Sequence, residues 1–516
     1  MIPEVLVDVR GAAARCAMLS VLCLGFFLLV LRVLDAAYNA WRRRVAVASG
    51  IEKLPGYEGL GSASAGQKQR EAMTRDIERA MIDISMSLNA RTFALYCPKK
   101  LEGVIGQECI AATLDPAIVK TLFRDKQHTK LRSGRYKQGL VLPGLAGLLF
   151  MDGPQWERHN KVLHAGFQPR HFSKFARTFH AIAQSHTSCW EDGMVLNVYE
   201  SMKLMALSNA CAVGYGADVF SESGRELHAA MTAYNARERL QTSGGFLSLL
   251  EAVWGGILLY RDAQRIRRAI RGVIDEQRAA KGDAVDAQED WVSLMRIAGF
   301  SEKELFNEAN HLNDAHKALA LVINSALYEL VRSPKWLNRL RAEFDFVLDG
   351  RSFPERGDLS SLKTTTMIIK EVLRLHPVTN LVVRRTGKPV LDEDGKELLP
   401  SGANVAVCVR AMHAHPEFWG KMPEAFDPSR WSDDASLLRT TSDIGVKEAF
   451  VPFLDGQRQC AGRFLGELEL VVALHALISR FDFSLCEEGD DLHRLECDAY
   501  PILKRKMLFR INRRAE

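Results

Sequence analysis

The stretch Phe453-Leu454-Asp455-Gly456-Gln457-Arg458-Gln459-Cys460-Ala461-Gly462 constrains this chain more than any other, because it runs without a break into the helical pattern RFLGELELVVALHALISRF. A glycine-bearing turn thereby presents one cysteine at the N-terminus of an apolar helix. Helix-end amides carry partial positive charge and Arg458 adds a full one nearby, so both favour thiolate over thiol. Gly456 and Gly462 suit backbone that adopts unusual dihedrals or lies close against a flat ligand. A cysteine buried in an ordinary turn is the alternative, and one cysteine with two glycines does not decide between the two.

The opposite end of the chain has a different constraint. Cys16 to Leu31 (CAMLSVLCLGFFLLVL) carries no charge, and Val33-Leu34 extend the run beyond Arg32. As a helix at roughly 1.5 Å per residue, Cys16 to Leu34 spans about 28 Å, close to a hydrocarbon core of roughly 30 Å. Arg32 lies near the end, where its stem reaches the headgroups. Trp41 and Arg42-Arg43-Arg44 match an interfacial aromatic with a positive-inside flank. Residues 1–44 are therefore expected to form a single-pass transmembrane anchor, with residues 45–516 on the cytoplasmic side. A cleaved signal peptide fits less well, since Ala46-Val47-Ala48 lies beyond the arginines and far from the apolar core.

Composition narrows the rest. Hydrophobic content of 47% and charged content of 25% exclude a mostly disordered chain and a polytopic membrane protein. The net charge of +5 on 516 residues gives no ground for a nucleic-acid partner. The ten cysteines include no C-x-x-C pair and no zinc spacing, as in a reduced intracellular protein. Residues 45–66, rich in Gly, Ser and Ala, read as a linker, and residues 67–516 as the catalytic body. Apolar spacings of three and four predict helices over 174–190, 196–213, 263–281, 302–331 and 336–347. Strands are expected at Leu381-Val382-Val383, at Asn404-Val405-Ala406-Val407 and at the alternating Phe481-Asp482-Phe483-Ser484-Leu485. The fold class is mainly α with small β-sheets. Segment 244–260, with one charge, is either a buried helix or a second membrane-touching surface near a substrate entrance.

A thiolate on a rigid loop beside an arginine is what an anionic iron porphyrin requires: the sulfur ligates iron and the arginine pairs with a propionate. The pattern F-x-x-G-x-R-x-C-x-G here resembles the haem-binding signature of the cytochrome P450 family, with every fixed position filled. Upstream, Lys370 to Pro377 (KEVLRLHP) resembles the family's E-x-x-R helix, with Glu371 and Arg374 on one face. His413, Trp419 and Gly420 follow in the family's order. Phe426-Asp427-Pro428-Ser429-Arg430-Trp431 then resembles the F-x-P-x-R-W segment, whose arginine, Arg430, completes an ion-pair triad. The resemblance covers roughly residues 50–510. It implies a cytochrome P450 fold and haem b (iron protoporphyrin IX), with Cys460 as the axial iron ligand and Gly462 beside it. It also implies that Arg458 meets a propionate and that Phe453 packs on the ligand loop. Arg384, or its neighbour Arg385, stands where the family places a second propionate-binding arginine. Trp156 lies in a segment resembling the W-x-x-x-R helix; position 160 is Asn, which leaves Arg158 or Lys161 to supply the charge.

The oxygen-activating helix departs further. Aligned on Ser325 to Leu330, Asp314-Ala315-His316-Lys317-Ala318-Leu319 occupy the place of (A/G)-G-x-(D/E)-T-(T/S). Lys317 replaces the acid and Ala318 the threonine of a pair that relays protons during dioxygen activation. Either Asp314 and His316, with Asn313 and Lys317, form a substitute network, or the substrate supplies its own hydroxyl, or dioxygen is not activated. The resemblance thus implies a membrane-anchored monooxygenase that inserts one oxygen atom from O2 into a lipophilic small molecule. Electrons would come from a separate NAD(P)H-dependent reductase or ferredoxin, since the chain has no G-x-G-x-x-G fingerprint and no iron–sulfur cysteine set. A haem-thiolate isomerase or lyase, a peroxygenase and a non-enzymatic haem binder are the alternatives. Specificity belongs to loops around 134–155 and 235–260, whose Gly, Leu and Phe content suggests an apolar ligand.

Overall fold

The computed structural model describes residues 51–55, 71–72, 76–96, 109–130, 147–148, 151–167, 171–216, 221–240, 248–281, 290–392, 394–432, 448–486 and 507–514. In chain order the principal elements begin with α1 (Ile77–Leu88), β1 (Thr92–Tyr96), β2 (Cys109–Thr113), α2 (Pro116–Arg124) and β3 (Thr129–Lys130). Next come α3 (Gly153–Gly166), α4 (Phe172–Thr187), β4 (Met194–Asn197), α5 (Val198–Tyr215), α6 (Glu222–Leu240), α7 (Ser248–Lys281) and α8 (Trp291–Ile297). The long α9 (Glu302–Arg332) leads into α10 (Pro334–Leu348), α11 (Lys363–Leu375), β5 (Leu381–Arg385), β6 (Val390–Leu391), β7 (Glu397–Leu399) and β8 (Asn404–Cys408). The chain closes with α12 (Val409–Ala414), α13 (Pro416–Trp419), α14 (Arg463–Ile478), β9 (Phe481–Leu485) and β10 (Leu508–Arg513).

Local chemistry sets the boundaries that matter. Asp115 accepts hydrogen bonds from the N–H groups of Ala117 and Ile118, and Pro116 fills the first turn, so α2 starts where its orphan donors are met. Ser301 and Glu304 form a reciprocal capping box at the start of α9. The segment from Leu319 to Leu330 in that helix is buried throughout, so α9 runs through the protein interior. It packs along α5, while α14 packs against α4.

Five strands form the larger sheet in the order β1-β2-β8-β5-β3. β2 runs parallel to β8, with Ala112 opposite Ala406, and β5 runs antiparallel to β8, with Val382 opposite Val407. A second sheet has the order β4-β10-β9, and β6 and β7 form a small hairpin.

The fold is mainly helical with small sheets, as expected. The expected helices appear as α4, α5, α7, α9 and α10, and the three expected strands as β5, β8 and β9. The other seven strands among the described residues, β1 to β4, β6, β7 and β10, were not anticipated. The segment expected at 263–281 is the end of a longer helix that starts at Ser248 and takes in most of the apolar 244–260 run. Within it, Ile257 and Tyr260 are half exposed.

The anchor expected at residues 1–44 lies outside the described residues, and among those described no helix is long and apolar enough to cross a membrane. Part of the segment expected as a linker belongs to the fold: Ile51 and Leu54 are buried, and the Pro55 carbonyl accepts the N–H of Ala94 at 2.9 Å. The i, i+3 spacing of those two apolar residues on a short turn gives them one shared face to bury.

Candidate functional site

The ligand loop is built on a buried charge cluster. Arg374 donates to both carboxylate oxygens of Glu371, at 2.8 and 2.9 Å, and to the carbonyls of His413, Pro423 and Ala425 at 2.8, 2.6 and 3.2 Å. Glu371 also accepts the Trp431 indole N–H and the Asp427 N–H, both at 3.0 Å, and Arg430 lies 3.5 Å away. The structure thus brings Glu371, Arg374 and Arg430 together around one carboxylate. All five Arg374 donors are directed at acceptors, which is what a buried guanidinium requires.

His413 carries this cluster to the loop. Its Nδ1 faces the Arg374 carbonyl at 3.2 Å, and its Nε2 accepts the N–H of Val451 at 3.0 Å. Burial, reinforced by the charge of Arg374, pushes its pKa down to about 3, so the ring is neutral. From Val451 the chain turns sharply. Leu454 adopts φ of 61°, and Gly456 follows at 69°. An added Cβ on Gly456 would stand 2.2 Å from the Phe123 carbonyl oxygen, so glycine alone lets the loop rest on the end of α2. Asp455 accepts the Gly456 N–H at 2.7 Å and pairs with Arg124 at 2.7 Å, which fastens the same contact. The Cys460 N–H donates to the Phe453 carbonyl at 2.9 Å, fixing the cysteine at the loop's end.

The Cys460 side chain is exposed, yet enough protein surrounds it that burial pushes its thiol up. The Gly462 N–H opposes that shift by donating to the sulfur, as does the charge of Arg463. Arg463 is thus one cation that acts on the sulfur. Arg458, expected in that role, turns toward α3: its guanidinium lies 3.9 Å from the ring centre of Trp156, donates to the Met151 carbonyl at 2.9 Å and pairs with Asp152. Phe453 lies half-buried against the core beside the loop.

Gly462 and Gly466, one helical turn apart, leave a smooth face beside the sulfur. A Cβ on the first would meet only Sγ of Cys460, at 4.0 Å, and on the second nothing within 4 Å. Of the two arginines on β5, Arg384 is buried with its guanidinium 4.9 Å from the Phe123 ring centre, whereas Arg385 is exposed. One cysteine sulfur, a flat glycine face and two arginines, each against an aromatic ring, fit an anionic iron porphyrin.

Asn160 is half-buried, and the substitution is not repaired by Arg158. Arg158 is committed elsewhere: it pairs with Glu304 at 2.8 Å, donates to the Gly299 carbonyl at 3.1 Å and lies over Phe300. Lys161 is exposed. On α9, His316 is buried and Lys317 and Ala318 are half-buried, while the Asp314 side chain lies outside the described residues.

A further buried pair escaped the sequence reading. His159 Nδ1 lies 2.6 Å from Glu308 Oε1, both fully buried, and Glu308 Oε2 accepts the Leu148 N–H at 3.1 Å. Glu304 joins through His159 Nε2 at 3.4 Å. These contacts pin α3, and with it Trp156, across the start of α9. No local signal exists for partners 149 positions apart.

A family model described as Cytochrome P450 matches residues 103–509. Cytochrome P450 CYP72A616 of Paris polyphylla is 24% identical over 407 residues, covering 74% of this chain and 75% of the relative. Leukotriene-B4 omega-hydroxylase 3 of Mus musculus is 26% identical over 365 residues, covering 65% and 68%. Cytochrome P450 4Z1 of Homo sapiens is 26% identical over 391 residues, covering 71% and 75%.

Proposed function

This chain belongs to the cytochrome P450 family of haem-containing oxidoreductases, and from that premise we propose that it is a membrane-anchored monooxygenase acting on a lipophilic small molecule. The observation that carries the proposal is the placement of Cys460, on a loop fixed by buried charges and beside the Gly462–Gly466 face. In this reading the cofactor is haem b, Cys460 its axial ligand, and Arg458 and Arg384 its propionate partners. When bound, haem supplies the reductive activation of dioxygen. The Gly462 N–H holds negative charge on the sulfur, Phe453 shields it, and Trp156 orients Arg458. Ala318 has no hydroxyl, so protons reach the reacting centre through His316, Lys317 and Asp314, or through a hydroxyl of the substrate.

The charge-free run at 16–31, extended past Arg32 by Val33-Leu34, supports residues 1–44 as the anchor, with residues 67–516 as the catalytic domain on the cytoplasmic side, at the endoplasmic reticulum in a eukaryotic source. The exposed Ile257 and Tyr260 of α7 and the name of the mouse relative support an apolar substrate. Electrons come from a separate NAD(P)H-dependent reductase or ferredoxin.

Ala318 favours one second reading, an isomerase, lyase or peroxygenase that bypasses dioxygen activation. The deciding experiment incubates the purified full chain with reductase, NADPH, a lipid extract and heavy-isotope dioxygen, followed by mass spectrometry. A product carrying one heavy oxygen atom establishes monooxygenation. An unlabelled rearranged product, or product formed without reductase, overturns it in favour of the second reading.

A further inference from the structure

The first turns of α14 hold an ion pair that neither the ligand signature nor the E-x-x-R cluster requires. Arg463 Nε lies 3.2 Å from Glu467 Oε1, and both side chains are buried. Arg463 is anchored next to the ligand: its N–H donates to the Cys460 carbonyl at 3.3 Å, and its guanidinium lies 5.9 Å from the ring centre of Phe453 and 5.5 Å from that of Phe464. Glu467 Oε2 is buried with no hydrogen-bond partner among the described residues, so Arg463 is the cation that holds this carboxylate. The two charges act on the Cys460 sulfur with opposite sign: Arg463 favours the thiolate and Glu467 disfavours it. Burial pushes the Glu467 carboxyl up to about 7, against the pull of Arg463 on its own helix and of Lys370 on α11. Lys370 is itself buried, 5.7 Å from the Trp431 ring centre.

We propose that Glu467 is a positioning residue for the thiolate ligand: it holds Arg463 at the start of α14, offsets its positive charge, and so keeps the reduction potential of the bound haem low. The proposal rests on the haem-thiolate reading above. Reduction adds an electron to the iron–thiolate unit, so a nearby negative charge opposes it and a nearby positive charge assists it.

The test uses full-length holoprotein at about pH 8, above the value of about 7 to which burial raises the Glu467 carboxyl, and reads the ferric/ferrous potential with the ferrous–CO spectrum. Glu467→Gln keeps shape and removes charge; its potential rises while the thiolate-type CO band persists. Arg463→Gln shifts the potential the opposite way. The double variant, lacking both charges, returns toward the parent, as coupled neighbours do. If Arg463→Gln loses haem, Glu467→Gln decides alone. An unchanged potential in Glu467→Gln, or shifts of the same sign in both single variants, overturns the proposal. A parent protein that binds haem without the thiolate-type CO band overturns the reading beneath it and the proposal together.

Discussion

Replacing Gly456 by alanine tests whether the ligand loop is held by the end of α2. Two costs arise, and the structure separates them. A side chain at φ of 69° meets the left-handed penalty of about 1–2 kcal/mol. The second is steric: the new Cβ would stand 2.2 Å from the Phe123 carbonyl oxygen, 2.7 Å from its carbon and 2.9 Å from the Arg124 Cα. All three are backbone atoms, so no rotamer change relieves them. Reaching an ordinary 3.4 Å contact needs 3.4 − 2.2 = 1.2 Å of separation between loop and helix. The Arg124–Asp455 pair at 2.7 Å resists it. Overpacking of a tight site costs about 1–3 kcal/mol, so Gly456→Ala should lose roughly 2–5 kcal/mol in all. Gly395, in the turn between β6 and β7, is the control: its φ is 80°, and an added Cβ meets nothing within 4 Å. Gly395→Ala should therefore lose only the first term. Urea unfolding of the haem-loaded proteins gives both numbers, and the ferrous–CO spectrum reports whether Cys460 still ligates. If the two variants unfold within about 0.5 kcal/mol of each other and Gly456→Ala keeps its thiolate band, the loop does not depend on α2 and the reasoning fails.

Arg374→Leu should cost about 3–5 kcal/mol, because it leaves the Glu371 carboxylate buried and three carbonyls without their donor; a loss below 1 kcal/mol in urea unfolding contradicts this. Ser301→Ala should destabilise by about 1 kcal/mol through loss of the α9 cap, as thermal and urea unfolding will register. Glu304 gives a pH signature. Burial raises its pKa, but the Ser301 N–H and hydroxyl, His159 and Arg158 outweigh that and bring it from 4.5 to about 2. A folded pKa below the unfolded one stabilises above 4.5 and loses that contribution as pH falls toward 2. The stability gap between the parent and Glu304→Gln should accordingly stay level near neutrality and close in acid; a gap unchanged in acid refutes the assignment.

Much of the fold was legible where one helix face carries the apolar residues, as in α4, α9 and α10. The sheet was less so, for a reason visible in β2. Its Cys109-Ile110-Ala111-Ala112-Thr113 lies between β1 and β8 with Ile110 to Thr113 wholly buried, so it shows no alternation, and alanine argues against a strand until its neighbours are known. Spacing put Glu371 and Arg374 on one helix face, and the family resemblance added Arg430. Neither disclosed the carbonyls of His413, Pro423 and Ala425 that take the remaining Arg374 donors, because a carbonyl has no sequence identity. The influence of Arg463 on the sulfur escaped the sequence reading for a related reason. Proximity along the chain places Arg458 two residues from Cys460, but the turn at Leu454–Gly456 sends its side chain to Asp152 and Trp156.

The charges around the ligand loop come in matched pairs: Arg374 with Glu371, Arg124 with Asp455, Arg458 with Asp152 and Arg463 with Glu467. For the buried pairs of Arg374 and Arg463 an unmatched charge would be expensive, and pairing lets four arginines stand around one loop. It also commits neighbouring cations to partners of their own. At position 160 the family's arginine is an asparagine, and Arg158 is already held by Glu304 and the Gly299 carbonyl. An anionic cofactor in this site would then draw on Arg384, which lies against Phe123, and on Arg458, whose charge it would share with Asp152. Asn160 in place of the family's arginine takes one positive charge from the proposed porphyrin side of the site. In that reading the loss would act in the same direction as Glu467, since both would leave added negative charge on an iron–thiolate unit less compensated.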